Sequence, residues 1–134
     1  MTRTLLDTSA YSGLLRGNPA LRQALSLADE VCLSVVVLGE LRAGFRKGSR
    51  SDQNERILGE FLATPRVAVL GVDEETSHRY AIVKEDLRRR GKSLSANDIW
   101  IAATAFQHGL RLLTTDPDFG YVSQIALDLV PTKR

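Results

Sequence analysis

The chain has 134 residues, enough for one domain with a single well-buried core, and its 43% hydrophobic and 25% charged residues are ordinary globular composition. A net charge of +2 is too small to argue for any partner by itself. One cysteine, Cys32, excludes an intramolecular disulfide, and the longest apolar run, Val35 to Leu38, is far short of the roughly 20 residues a membrane span requires.

Taken in chain order, Arg3 to Leu6 reads as a short buried strand. Asp7-Thr8-Ser9 can cap a helix starting near Ala10. Asn18-Pro19 offers another helix start, with Leu21, Leu25 and Ala28 on one face. Glu30 to Leu33 is strand-like, and Cys32 within it reads as a packed core thiol. Ser34 then caps a helix from Val35 to about Lys47, which Gly48 stops. A helical pattern from Ser51 to Ala63 is broken by Pro65, and Val67 to Leu70 is a strand. Asp73 begins a helix whose apolar stripe is Thr76, Tyr80, Val83 and Leu87, ended by Gly91. Ser95 opens a helix with Ile99, Ala102, Ala103 and Phe106 inward, stopped by Gly109. Arg111 to Thr114 is a strand, and Ala126 to Val130 is the last. Strands alternating with helices imply crossover connections and a mainly parallel sheet covered on both faces. No repeat, linker or composition shift suggests a domain boundary, and Asp7 comes too soon for a preceding signal peptide. The expectation is a soluble cytoplasmic protein with no membrane association.

Four carboxylates stand out within this frame. Asp7 closes the run Thr4-Leu5-Leu6, and Asp116 closes Leu112-Leu113-Thr114-Thr115. Each falls at the C-terminal end of a predicted strand, the edge at which open parallel sheets bind ligands. Glu40 has Val36, Val37, Ala43 and Gly44 three and four positions away on its helix, where a solvated Glu has polar company. An unpaired buried carboxylate is costly, so Glu40 must be protonated, metal-bound or paired, with Arg42 or Arg46 as the available partners. Asp98 fits the first turn of a helix capped by Ser95, which the helix dipole favours, and such a start can also aim a carboxylate at a pocket. Asp7 alone could be an N-cap, and Asp116 alone could start the turn Asp116-Pro117-Asp118.

Charge repulsion decides what four converging acids need. Two like charges 4 Å apart cost roughly 4 kcal/mol at an effective dielectric near 20. A hard divalent cation with oxygen ligands relieves several such pairs at once. Arg42, Arg46, Lys47 and Arg50 follow Glu40, and Arg88, Arg89, Arg90 and Lys92 precede Asp98. These could receive a polyanion, or they could be solvated helix faces. His78 and His108 lack any ligand-like spacing, which argues against zinc and against a Ser-His-Asp triad. No phosphate-cradling glycine motif occurs. Trp100 reads as a packing residue.

Four segments together resemble the PIN-domain ribonucleases, in particular the VapC-type toxins of type II toxin–antitoxin pairs. They are Leu5-Leu6-Asp7-Thr8-Ser9, Ser34-Val35-Val36-Val37-Leu38-Gly39-Glu40-Leu41, Asn97-Asp98-Ile99-Trp100-Ile101-Ala102-Ala103-Thr104-Ala105 and Leu113-Thr114-Thr115-Asp116-Pro117-Asp118-Phe119. The resemblance spans nearly the whole chain. It implies a single PIN domain over 1–134, a three-layer α/β/α sandwich around a mainly parallel sheet of four to five short strands. It implies Mg²⁺- or Mn²⁺-dependent endonucleolytic cleavage of structured RNA such as tRNA or rRNA. Asp7, Glu40, Asp98 and Asp116 match the family's acidic quartet, with Asp7 and Asp98 as the direct metal ligands. Thr8 and Thr115 match supporting hydroxyl positions, and Asp118 is an auxiliary acid or a turn residue. The family also implies a homodimer and a small cognate antitoxin. The alternative is a non-catalytic RNA-binding module that keeps the fold; a phosphoacceptor pocket in signalling is a third class.

Overall fold

The computed structural model describes residues 2–132. The runs Arg3–Leu6 (β1), Glu30–Ser34 (β2), Val67–Leu70 (β3), Arg111–Thr114 (β4) and Ala126–Leu129 (β5) form one sheet. Its order is β3-β2-β1-β4-β5 and every pairing is parallel. Six α-helices connect and cover the strands: Thr8–Leu15 (α1), Pro19–Ser26 (α2), Val35–Lys47 (α3), Ser51–Leu62 (α4), Glu74–Arg89 (α5) and Ala96–His108 (α6). This is the expected α/β/α sandwich.

The apolar runs explain the sheet order. Strands buried on both faces read as continuous hydrophobic stretches. Leu5, Leu6, Cys32, Leu33, Leu112 and Leu113 are fully buried, and their strands are the three central ones. The edge strands β3 and β5 carry exposed positions, Val69 and Leu129 among them. The chain runs outward from β1 through β2 to β3, then returns to lay β4 on the other side of β1. Strand order therefore reverses between β1 and β4, which opens a crevice above their C-terminal ends.

The predicted caps hold with small shifts. Helix α1 starts at Thr8 rather than near Ala10, because Asp7 Oδ1 accepts the Ala10 N–H at 2.8 Å. Asn18 caps α2, Ser34 caps α3, and Asp73 with Thr76 forms a capping box on α5. Gly109 ends α6 at φ +64°, a left-handed position that glycine occupies without steric cost. Helix α4 stops one residue short of the expected end, and β5 stops at Leu129 rather than Val130. The stretch read as a turn after Asp116 is a 3-10 helix, Pro117–Tyr121. Phe106, expected inward, is only half-buried and lies under the Arg79 guanidinium, 4.5 Å from its ring centroid.

Packing is close where α1 meets α2. A Cβ on Gly13 would stand 2.3 Å from Cδ1 of Leu21, which is fully buried. Gly13→Ala should therefore lower stability by about 1–3 kcal/mol through overpacking, read by urea denaturation. An unchanged midpoint would show that the helices part freely there.

Candidate active site

Asp7 stands between the end of β1 and the start of α1, as the N-cap of that helix. Its N–H donates to Leu113 O at 3.3 Å, and its carbonyl accepts from Tyr11 N at 3.2 Å. The side chain is 4% exposed. Thr114 Oγ1 donates to Asp7 Oδ2 at 2.5 Å, and Ser9 Oγ bonds both carboxylate oxygens at 2.8 and 2.9 Å. Each hydroxyl also accepts a backbone N–H: Thr114 Oγ1 from Asp116 in its own segment at 2.9 Å, and Ser9 Oγ from Thr115 across the turn at 3.0 Å. The two hydroxyls thus lock the β1–α1 turn to the end of β4. Burial pushes the Asp7 carboxyl above its ordinary range, and Asp116 pushes the same way, against the bonds from Thr114, Ala10 and Ser9.

Asp116 follows β4 and caps the 3-10 helix, its Oδ1 accepting from Asp118 N at 2.9 Å. Asp98 sits in the first turn of α6, where its N–H donates to the Ser95 cap at 3.2 Å. Asp98 therefore belongs to a cap, and its carboxyl also feels the charge of the other acids. Its carboxyl is raised first by burial, then by the charges of Asp116, Glu40 and Asp7, with the Ser95 hydroxyl opposing. Asp98 feels all three other acids across separate segments of the chain.

Glu40 departs from expectation. Its neighbours Ala43 and Gly44 are exposed, and the buried face of α3 is Val37, Leu38 and Leu41. Glu40 faces a groove rather than the core. Nor does an arginine reach it, since Arg42 is spent on Glu55 in a forked pair at 3.0–3.1 Å. Instead Thr8 Oγ1 donates to Glu40 Oε1 at 2.5 Å and Asn97 Nδ2 to Oε2 at 3.2 Å. Those bonds tie α3 to α1 and α6. The groove has a volume of about 570 Å³ and is lined by Val35, Val36, Gly39, Ala43, Val72 and Trp100 beside Glu40 and Asn97.

The expected supporting residues fare unevenly. Thr8 contacts Glu40 as anticipated. At the end of β4 the supporting hydroxyl is Thr114 rather than Thr115, whose recorded bond to this region is its backbone N–H. Strand alternation explains the slip: Thr114 is fully buried beside β1, whereas Thr115 has already left the sheet. Asp118 is exposed and contributes a backbone N–H to the Asp116 cap, the turn role. Ser9 and Asn97 also bond the acids, at Asp7 and Glu40, and neither carries a charge that marks it in the sequence.

No lysine or arginine forms an ion pair with any of the four acids among the described residues. All donors are hard oxygens, the two most affected carboxyls are raised, and compensation by a divalent cation fits. As the side chains stand, however, no three acids among the described residues are drawn together closely enough to hold an ion. They share an electrostatic neighbourhood without forming a coordination sphere, as mutually repelling charges do. The expected ready-made cluster is corrected to that extent. The second basic run is a solvated helix face: Arg88 and Arg89 pair with Glu85, and Arg90 pairs with Asp86.

With a chelator present, the raised carboxyls of Asp7 and Asp98 set the sign of their own contribution to the pH response. Asp7 and Asp98 hold protons that the unfolded chain releases near pH 4, so their contribution to stability falls as pH rises through and above the ordinary carboxylate range, opposite in sign to Asp73, Glu85, Asp86 and Asp128, whose hydrogen bonds hold them low. Asp98→Asn should flatten that fall and raise Tm by a few degrees at neutral pH, by differential scanning calorimetry. A lower Tm at every pH would show that the Asp98 charge is not under strain.

A PIN domain family model matches residues 4–124. Ribonuclease VapC4 of Mycobacterium tuberculosis is 37% identical over 125 residues, covering 92% of this chain and 93% of the relative. VapBC-5 of Mycobacterium tuberculosis, a member of the VapBC family of toxin–antitoxin systems, superimposes with TM-score 0.73 at 28% identity over 98% of this chain and 100% of its own. The fold also matches VapBC2 from Rickettsia felis, solved bound to a promoter DNA fragment, with TM-score 0.85 at 23% identity over 95% of this chain and 98% of the other.

Proposed function

The chain belongs to the PIN-domain family, in its VapC branch, and from that premise we propose a metal-dependent endoribonuclease that acts as the toxin of a type II toxin–antitoxin pair. One observation carries the reading. Asp7, Glu40, Asp98 and Asp116 come from four separate segments, Asp98 feels the charge of the other three, and no lysine or arginine pairs with any of them among the described residues. Relatives named as ribonucleases supply the reaction class.

Asp7 and Asp98 would hold a Mg²⁺ or Mn²⁺ ion, with Asp116 and Glu40 completing the acidic set. When bound, such an ion lowers the pKa of an attacking water and neutralises charge at the phosphoryl oxygen and the departing alkoxide. The protein's own part is placement and proton handling. Thr114 and Ser9 fix the Asp7 carboxylate in one orientation. Thr8 and Asn97 hold Glu40 at the groove edge, where it can orient water and accept its proton. The substrate would be a structured cellular RNA of the tRNA or rRNA class, cut where its strand is unpaired.

The same reading covers organisation and partners. Residues 1–134 are taken as a single PIN domain in a homodimer, held inactive by a small cognate antitoxin. Relatives solved as toxin–antitoxin complexes support that partnership. No helix among the described residues is long and apolar enough to cross a membrane. The lone buried thiol, Cys32, suits a cytoplasmic setting.

Purified protein with Mg²⁺ or Mn²⁺ should cleave structured RNA, and chelation should stop it. Asp7→Asn and Asp98→Asn should each lower the single-turnover rate by at least about 100-fold while leaving RNA binding within a few-fold. Full activity in both variants would overturn the site. Binding without turnover by wild type, for any RNA and either ion, would favour the non-catalytic module instead.

A further inference from the structure

The groove beside Glu40 is larger and more apolar than four carboxylates need. Val35 and Val72 on its walls are 43% and 40% exposed. Trp100 lines it half-buried and is braced by Tyr80, with ring centroids 4.2 Å apart at 34°. Gly39 keeps it open. Nothing lies within 4 Å of where a Gly39 Cβ would be, so packing does not demand a glycine there, and glycine inside a helix weakens it. Arg46 and Lys47 end α3 beyond Ala43 and Arg50 follows before α4, all three exposed and without an ion pair among the described residues. The acids repel a phosphate from the groove itself, while the basic end attracts one. What suits the space between is a flat, neutral, partly apolar group joined to a phosphodiester.

We infer that this groove receives one unstacked nucleobase of the RNA strand, packed against Trp100, with the adjoining backbone directed along α3 toward Arg46, Lys47 and Arg50. The inference rests on the ribonuclease reading and adds a specificity pocket to it. Asn97 keeps an amide oxygen and a second N–H beyond its bond to Glu40, so it can meet a base edge at the mouth. A duplex cannot enter, because its bases are stacked and paired. Stacking on a braced aromatic ring is tolerant of sequence and is a recurrent means of holding single strands.

Trp100 is the chain's single tryptophan, so its fluorescence reports on the groove alone. In EDTA, where no cleavage occurs, a short unstructured oligoribonucleotide should quench it saturably, and the same sequence annealed to its complement should not. Gly39→Leu fills the groove from an exposed helix position; it should keep the melting temperature and weaken oligoribonucleotide binding about 10-fold or more by labelled-RNA anisotropy. Trp100→Ala should weaken binding to a similar extent, and Trp100→Phe should restore most of it. RNA binding without quenching, and unaffected by Gly39→Leu, overturns the inference and leaves the ribonuclease reading intact. Quenching by a protein that cleaves no structured RNA with Mg²⁺ or Mn²⁺ supports the groove and overturns the enzyme. Quenching by an amphipathic helical peptide but not by RNA overturns the inference and assigns the groove to a protein partner.

Discussion

The buried carboxylate of Asp7, held by the Thr114 and Ser9 hydroxyls, is the interaction on which the rest depends. It is where β1 ends, where α1 begins and where β4 is pinned alongside. A carboxylate at 4% exposure with no cationic partner is a costly thing for a fold to hold. Three hydrogen-bond donors offset part of that cost, and Asp116 adds to it. The sheet's topology puts this arrangement at the switch between β1 and β4, so local expense and ligand crevice coincide.

The other acids are positioned by different means, and the differences carry chemical meaning. Asp98 is set by a helix cap, a rigid mount. Asp116 is set by the first turn of a 3-10 helix. Glu40 hangs between hydroxyl and amide donors from two other helices, on the rim of an apolar groove. Three acids on strand ends and caps suit fixed ligation; one longer side chain on a rim suits proton transfer. On the proposed reading, the apolar side of the groove would give the reacting strand somewhere to lie that is not itself charged.

Much of this was legible in the residues. The caps at Asn18, Ser34, Asp73 and Ser95 mark helix starts because their side chains satisfy otherwise orphaned N–H groups. The continuous runs Leu5-Leu6 and Leu112-Leu113 marked buried central strands. What stayed hidden depends on register between segments distant in sequence. That Thr114 rather than Thr115 meets Asp7 follows from Leu6 lying beside Leu113, a pairing 107 residues apart at the level of the two side chains. The small and apolar neighbours of Glu40 suggest an inward position, yet Val36 and Ala43 among them line an open groove. Composition alone cannot tell a core from a crevice wall.

The central claim is that these four acids constitute one divalent-cation site. Titrating the protein with Mn²⁺ and following the free-ion signal by electron paramagnetic resonance tests it without reference to activity. The account predicts saturable binding by wild type that is lost in Asp7→Asn. Binding unchanged by that substitution, or absent from the folded wild type at millimolar Mn²⁺, would contradict it.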